Sequence, residues 1–284
     1  MVTFFLMALA TSLPELFVGL SSAFHKLPQL SFGNIIGANI LNLTVGIAIA
    51  VLVAGGLRVE SETTRSNSVY AAALSFLPLL LMLDGAVSRV DGIVLLLGLS
   101  IYLRKVLSQK ERFSKAFIEN FRKDRLQFKL FLKDLGTFFG SIFLLIFSAE
   151  GVVRTANFLA LEINLPLITT GIIFVSLGTV LPEIVFGIKA VTLGHKEMVL
   201  GNFMGTVVVN STLILGLVSL ISPLIIINIS PYLSGILFTF LSALGFVIFS
   251  SSDRKITKKE AIILIAIYIL FIASQILLTE NLIF

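Results

Sequence analysis

Ala8-Leu9-Ala10-Thr11-Ser12-Leu13-Pro14-Glu15 lies inside an apolar stretch, and Ser176-Leu177-Gly178-Thr179-Val180-Leu181-Pro182-Glu183 repeats it 168 residues later. The register holds without a gap from 8–46 onto 176–214. It pairs Leu9/Leu177, Thr11/Thr179, Leu13/Leu181, Pro14/Pro182, Glu15/Glu183, Gly19/Gly187, Gly33/Gly201, Asn34/Asn202, Gly37/Gly205, Asn42/Asn210 and Thr44/Thr212. Shared hydrophobicity alone matches Leu, Ile and Val. Here polar residues, Gly and Pro match, which marks a true internal repeat.

The segments around the repeat are membrane-like. The chain of 284 residues is 57% hydrophobic and 13% charged, with a mean hydropathy of +1.04. Charge-free runs at 27–57, 66–83, 198–252 and 261–279 are long enough to span a bilayer. Pro223 and Pro231 divide the longest run. The expected spans are 1–24, 29–54, 68–83, 87–104, 135–157, 164–192, 197–221, 229–250 and 261–279. The fold class is all-α, a polytopic membrane protein of about nine transmembrane helices. The division is 1–104 as a first half-repeat, 105–134 as a basic loop and 135–284 as a second half-repeat. The helix at 135–157 has no partner in the first half, because its counterpart would precede Met1. Residues 1–24 read as a span, since they lack the basic start and small-residue cleavage site of a signal peptide.

Charge sets the orientation. The segment 105–134 carries Lys105, Lys110, Arg112, Lys115, Arg122, Lys123, Arg125, Lys129 and Lys133, and the positive-inside rule places it in the cytoplasm. Alternation then puts Arg58, Lys196, Arg254, Lys255, Lys258 and Lys259 inside, and Lys26, Arg89, Arg154 and the 222–230 turn outside. The two halves therefore run in opposite directions, an inverted repeat of the kind found in secondary transporters. The net charge of +5 sits in loops, which speaks for membrane orientation and against nucleic acid. Phe113, Phe117, Phe121 and Phe128 also permit a short interfacial helix in the basic loop. With no cysteine, thiolate metal ligands are excluded.

A carboxylate within a membrane helix is costly and marks an ion or proton path. Pro14 and Pro182 have no N–H and clash with the carbonyl four residues back, so each helix is expected to open beside its glutamate. Freed carbonyls, Thr11 and Thr179 hydroxyls and the carboxylates of Glu15 and Glu183 form an all-oxygen donor set suited to hard cations such as Na⁺ or Ca²⁺. The amide oxygens of Asn42 and Asn210 can add ligands without charge. Asn34 and Asn202 read as supports for broken helix ends. Gly33, Gly37, Gly201 and Gly205 form small-xxx-small faces for close helix approach. Glu150 and Arg154 read as a structural i,i+4 ion pair, and His25 and His195 as interfacial.

Ala-Thr-Ser-Leu-Pro-Glu (10–15), Gly-Asn-Ile-Ile-Gly-Ala-Asn-Ile-Leu-Asn (33–42), Gly-Thr-Val-Leu-Pro-Glu (178–183) and Gly-Asn-Phe-Met-Gly-Thr-Val-Val-Val-Asn (201–210) resemble the paired alpha repeats of the sodium/calcium exchanger family, in its short prokaryotic form. The resemblance covers essentially the whole chain. It implies ten spans in two inverted halves, of which the leading one is not in this sequence. It also implies exchange of Na⁺ for Ca²⁺ by alternating access, in a prokaryotic cell membrane, with no enzyme activity and no cofactor beyond the transported ions. Membrane lipid is the surrounding partner. Carried over, the ligand positions are Ala8, Thr11, Ser12, Glu15, Ala38 and Asn42 in one repeat, and Ser176, Thr179, Val180, Glu183, Thr206 and Asn210 in the other. Three positions depart from the family pattern. Val180 replaces a serine, Ala38 a small hydroxyl residue and Asn210 an aspartate. Exchange coupled to protons or another cation, a non-transporting remnant and a membrane-embedded enzyme are the other readings. The enzyme is disfavoured by the lack of a nucleophile–base pair or His-containing metal motif.

Overall fold

The computed structural model describes residues 2–58, 62–108, 126–251 and 255–283, and these are almost wholly helical. The first half runs α1 (Val2–Thr11), α2 (Leu13–Phe24), α3 (Pro28–Leu41), a π-helical turn (Asn42–Gly46), α4 (Ile47–Ala54), β1 (Leu57–Arg58), α5 (Glu62–Leu81), β2 (Ala86–Val87) and α6 (Arg89–Ser108). The second half begins with α7 (Leu126–Glu162) and α8 (Leu167–Thr170), then a π-turn (Gly171–Val175), α9 (Ser176–Thr179) and α10 (Leu181–Thr192). It continues with α11 (Lys196–Val208), a third π-turn (Val209–Ile214), α12 (Leu215–Ile221), β3 (Leu224–Ile225), α13 (Ser230–Ser251), β4 (Lys255–Ile256) and α14 (Lys258–Ile283). Among the described residues, six helical stretches are long and apolar enough to cross a membrane, and Leu13–Phe24 and Ser68–Asp84 are shorter apolar helices.

The repeat register survives in the element boundaries. Shifted by 168, α2 falls on α10 end to end, and the π-turns at Asn42 and Val209 fall within a residue of each other. Contacts between the halves are reciprocal. α12 packs on α6 as α4 packs on α14, and α11 on α5 as α3 on α13. Likewise α2 packs on α12 as α10 does on α4, and α1 on α11 as α8 and α9 do on α3. Even the short strands obey the symmetry. β1 pairs antiparallel with β4, setting buried Leu57 opposite buried Ile256, and β2 pairs with β3, setting Val87 opposite Leu224. Each half is thus completed by the other, the arrangement expected of inverted repeats.

Charged groups gather as the alternation of spans requires. Arg58 and Lys255 sit on paired strands, and the Lys196 ammonium donates to the Ala54 carbonyl at 3.1 Å. At the other pair of strands, Arg89 Nε donates to the Leu220 carbonyl at 3.1 Å.

The centre is made by the two stretches that follow the Leu-Pro-Glu motifs. Within the apolar 18-residue core of each stretch, 83% of residues are buried in Pro28–Ala54 and 78% in Met198–Ile221, against 17% in Gly140–Glu162 on the periphery. A central helix with no lipid-facing side needs close neighbours, and glycine supplies them. A Cβ on Gly33 would lie 2.1 Å from the Ile168 carbonyl oxygen, and one on Gly37 2.4 Å from that of Ile172. The contact is mutual, because a Cβ on Gly171 would meet the Leu30 oxygen at 2.4 Å.

The peripheral helix α7 is held by α2. Val18 packs with Ala149, Val153 and Ala156. Above that cluster, Glu150 accepts from the Ser21 hydroxyl at 2.8 Å and from Arg154 Nε at 2.6 Å, and lies 3.1 Å from His25 Nε2. The Glu150–Arg154 pair is therefore as read from the sequence. His25 is more than interfacial, because it joins that pair across two helices. The α10 face corresponding to this contact is open, with Leu181 and Val185 exposed.

The basic loop is shorter than expected. Helix runs on to Ser108 and resumes at Leu126, so 105–108 and 126–134 are helical. A helix of 37 residues is about 55 Å long against about 30 Å of hydrocarbon, so α7 extends well past a bilayer core on reach alone. Residues 109–125, with Phe113, Phe117 and Phe121, lie outside the described residues, and Phe128 falls in α7.

The glycine contacts give a direct test. Gly37→Ala is expected to cost about 1–3 kcal/mol by overpacking and to lower the unfolding temperature of the detergent-solubilised protein. Gly151→Ala, whose Cβ would meet nothing within 4 Å, is expected to leave that temperature unchanged or slightly raised, as helix propensity favours Ala. Equal effects at both positions would remove close approach as the reason for Gly37.

Candidate functional site

Each Leu-Pro-Glu motif begins a new helix. The first span breaks at Ser12 (φ −80°, ψ 4°) and its repeat at Val180 (φ −80°, ψ −10°), so the two breaks share one backbone conformation. Proline then stands at the second position of α2 and of α10, where its missing N–H costs nothing. The glutamate follows in the first turn, where the helix N-terminus favours negative charge.

Both carboxylates are fully buried, and none of their four oxygens has a hydrogen-bond partner. They are close enough to feel each other's charge. The threonines are exchanged between motifs. Thr179 stands beside Glu15 and Thr11 beside Glu183, neither closing a hydrogen bond to the carboxylate. Instead Thr179 donates to Asn34 Oδ1 at 3.0 Å, and Thr11 Oγ1 lies 3.5 Å from Thr206 Oγ1. Asn34 therefore supports the opposite repeat's motif, while its counterpart Asn202 is buried with its amide unpartnered.

The central helices bring in the asparagines. Asn42 opens one π-turn and packs beside α10, which carries Glu183; Asn210 lies in the matching π-turn beside α2, which carries Glu15. A π-turn displaces the backbone ladder by one residue. Here Thr44 donates to the Ile40 carbonyl at 2.5 Å and Thr212 to the Val208 carbonyl at 2.6 Å, the same bond in both repeats. Asn42 is buried with both amide atoms unpartnered, and Asn210 with its Oδ1 unpartnered.

The remaining candidate positions divide unevenly. Ser12 is buried and donates to the Ala8 carbonyl at 2.8 Å, which also accepts from Thr11 Oγ1 at 3.2 Å. Ser176 donates to the Ile172 carbonyl at 2.5 Å. Ala38 and Val180, at the positions that Thr206 and Ser12 hold in the other repeat, are buried in one apolar cluster with Leu41. Ser12 and Thr206 thus have apolar counterparts, while Thr11 and Thr179 keep a hydroxyl in both repeats. Asn39, which no motif singled out, joins Asn210 and Ser211 by hydrogen bonds.

Chemically, two carboxylates, two asparagines and several hydroxyls lie in this region, and among the described residues no ion pair to either carboxylate is present. Buried ionised groups require neutralisation. Oxygen donors of this kind fit a hard cation of the Na⁺ or Ca²⁺ class, which takes six to eight oxygens when it is Ca²⁺. Among the described residues no group of three or more His, Cys, Asp or Glu is present, so neutral oxygens must complete any shell.

Comparison with known proteins places the fold and the family. The chain is 27% identical over 223 residues to the inner membrane protein YrbG of Escherichia coli, covering 76% of this chain and 67% of that one. It is 23% identical to the sodium/calcium exchanger MaX1 of Methanosarcina acetivorans, covering 94% and 86%. Among solved structures, the sodium-calcium exchanger NCX_Mj soaked with Na⁺ and Sr²⁺ superposes with a TM-score of 0.70 at 24% identity, over 95% of this chain and 84% of that one. The model of the family described as "Sodium/calcium exchanger protein" matches residues 1–106 and 133–277. With two inverted halves interlocked around paired Leu-Pro-Glu motifs, the chain belongs to the sodium/calcium exchanger protein family, a family of membrane ion exchangers.

Proposed function

We propose that this protein is a secondary antiporter that exchanges Na⁺ for Ca²⁺ by alternating access, at a site built on Glu15 and Glu183. The observation that carries the reading is the pair of buried carboxylates whose four oxygens have no protein donor. Two carboxylates offset the charge of one Ca²⁺, and the same oxygens serve Na⁺. Thr11, Thr179, Ser12, Thr206, Asn42 and Asn210 are the neutral ligands, with the backbone at Ala8 and Ser176. The names of MaX1 and NCX_Mj supply the ions by analogy. The segment around 105–134 faces the cytoplasm of a prokaryotic cell, and residues 1–104 and 135–284 are the two halves that rock against each other.

The test is ⁴⁵Ca²⁺ uptake into proteoliposomes driven by a Na⁺ gradient. Glu15→Gln and Glu183→Gln each remove half the formal charge that offsets Ca²⁺, and each is expected to abolish uptake. Undiminished uptake in both variants would rule the pair out of the site. Uptake driven by a pH gradient but not by Na⁺ would keep the site and replace the coupling ion.

The departures bear on coupling. Asn210 supplies no third carboxylate, and the Ala38–Val180 contact removes two hydroxyls from one side. Several Na⁺ ions bound together would leave excess positive charge where charge is poorly screened. Fewer Na⁺ per cycle, or one held weakly, follows. Asn210→Asp is expected to raise apparent Na⁺ affinity and to make transport more sensitive to acid. The measurement is Na⁺-dependent Ca²⁺ flux at several pH values with both proteins inserted at equal density. Identical Na⁺ and pH dependence would show that position 210 does not set the charge of the site.

A further inference from the structure

Asn210 is fully buried, and its amide makes one side-chain hydrogen bond: Nδ2 donates to Asn39 Oδ1 at 3.3 Å, while Oδ1 meets no donor. Asn39, on α3 and 2% exposed, in turn donates through Nδ2 to Ser211 Oγ at 2.7 Å. As placed, Asn39 gives its NH₂ to Ser211 and turns its carbonyl oxygen to the Asn210 NH₂. The Ser211 hydroxyl can serve either direction, so it is a cation at the free Asn210 oxygen that selects this one, with Asn39 holding the NH₂ behind it. Turning the Asn210 amide over alone would set two carbonyl oxygens against each other in a buried space.

The relay is not part of the repeat. The residue corresponding to Asn39 is Val207, and the one corresponding to Ser211 is Leu43. Asn42, the counterpart of Asn210, has both amide atoms unpartnered, so nothing comparable fixes which end it presents. Val207 is fully buried and shows that this place in the central helices accepts an apolar side chain. A buried amide there costs desolvation that valine does not, which points to a task specific to the Asn210 half.

We propose that Asn39 is a positioning residue, which through the Asn210–Asn39–Ser211 relay locks the Asn210 amide with its oxygen turned to the transported cation. This rests on the reading that Asn210 belongs to the cation site. An asparagine has one ligating oxygen where the aspartate of other family members has two equivalent ones, so only the asparagine needs to be oriented. Asn39 supplies that orientation from outside the ligand shell, as partners behind metal ligands do.

The equivalence of carboxylate oxygens provides the test. Asn39→Ala and Asn39→Val, the latter copying the other repeat, are made in the native protein and in an Asn210→Asp background. Na⁺-gradient-driven Ca²⁺ uptake is measured in proteoliposomes as KM and maximal rate. In the native background both variants are expected to raise the KM for Ca²⁺ roughly ten-fold, with the maximal rate per inserted protein nearly unchanged. In the Asn210→Asp background the same changes are expected to leave KM nearly unaltered. Equal KM changes in the two backgrounds, or a loss confined to maximal rate, would make Asn39 a packing residue and overturn the proposal. Failure of both variants to fold would do the same. Glu15→Gln run alongside separates the two levels: if it transports like the native protein, the site itself is misassigned, whatever Asn39 does.

Discussion

Two buried carboxylates that face no protein cation set the terms for the rest of this structure. Among the described residues, neither Glu15 nor Glu183 has a hydrogen-bond donor to its carboxylate. Such a pair raises the free energy of the folded chain unless a cation or protons share the space. The scaffold around it must therefore be strong enough to tolerate the pair. Here it gains that strength from burial of two central helical stretches and from backbone approach at Gly33, Gly37 and Gly171. Hydrophobic exclusion contributes little between helices in lipid, so tight van der Waals contact and interhelical hydrogen bonds carry the association. The Thr179–Asn34 bond and the Gln275 contacts to Thr169 and Pro231 are of the second kind.

Interlocking makes the pair a shared property of both halves. Each central helix crosses the broken span of the other repeat, and each motif threonine stands beside the other motif's glutamate. Neither half holds its own carboxylate in a finished environment. A change in the relation of the halves must alter the surroundings of both glutamates together. The proposed alternating access draws on this coupling, because packing between repeats is the kind of element that can hold two arrangements.

Much of this was legible in the sequence because the repeat could be checked against itself. The breaks beside Pro14 and Pro182, the burial of the glutamates and the close approach at Gly33 and Gly37 fall where matched residues lie, whereas Gly171 corresponds to Thr3 and has no glycine partner. What a match could not reveal is what only one half possesses. Asn39 and Ser211 align with Val207 and Leu43, so comparison passes over them. His25 and Ser21 join Glu150 across more than a hundred residues of chain, with nothing local to announce the contact. The π-turns were hidden for a different reason. Asn-Leu-Thr and Asn-Ser-Thr sit in apolar runs with no Pro, Gly46 at the end of the first turn is matched by Ile214 in the second, and the Thr44 and Thr212 hydroxyls that take up the displaced carbonyls resemble ordinary helix-facing threonines. The edges of the basic segment are illegible in sequence because charge ordinarily signals loop, whereas α7 carries charged residues on helix that runs past the apolar span.

The residues that match and those that differ also divide by task. Pro, Gly and Glu match, and these break the helices, let them cross and supply the charge. Around the carboxylates, Ser12 faces Val180 across the repeat, Thr206 faces Ala38, and oriented Asn210 faces unpartnered Asn42. A pseudo-twofold scaffold with identical ligands would offer a cation two equivalent positions. Removing hydroxyls from one side, while fixing an amide oxygen on the other half, makes those positions unequal. The matched residues keep the two halves alike, and the few buried side chains that differ make the surroundings of the two carboxylates unequal.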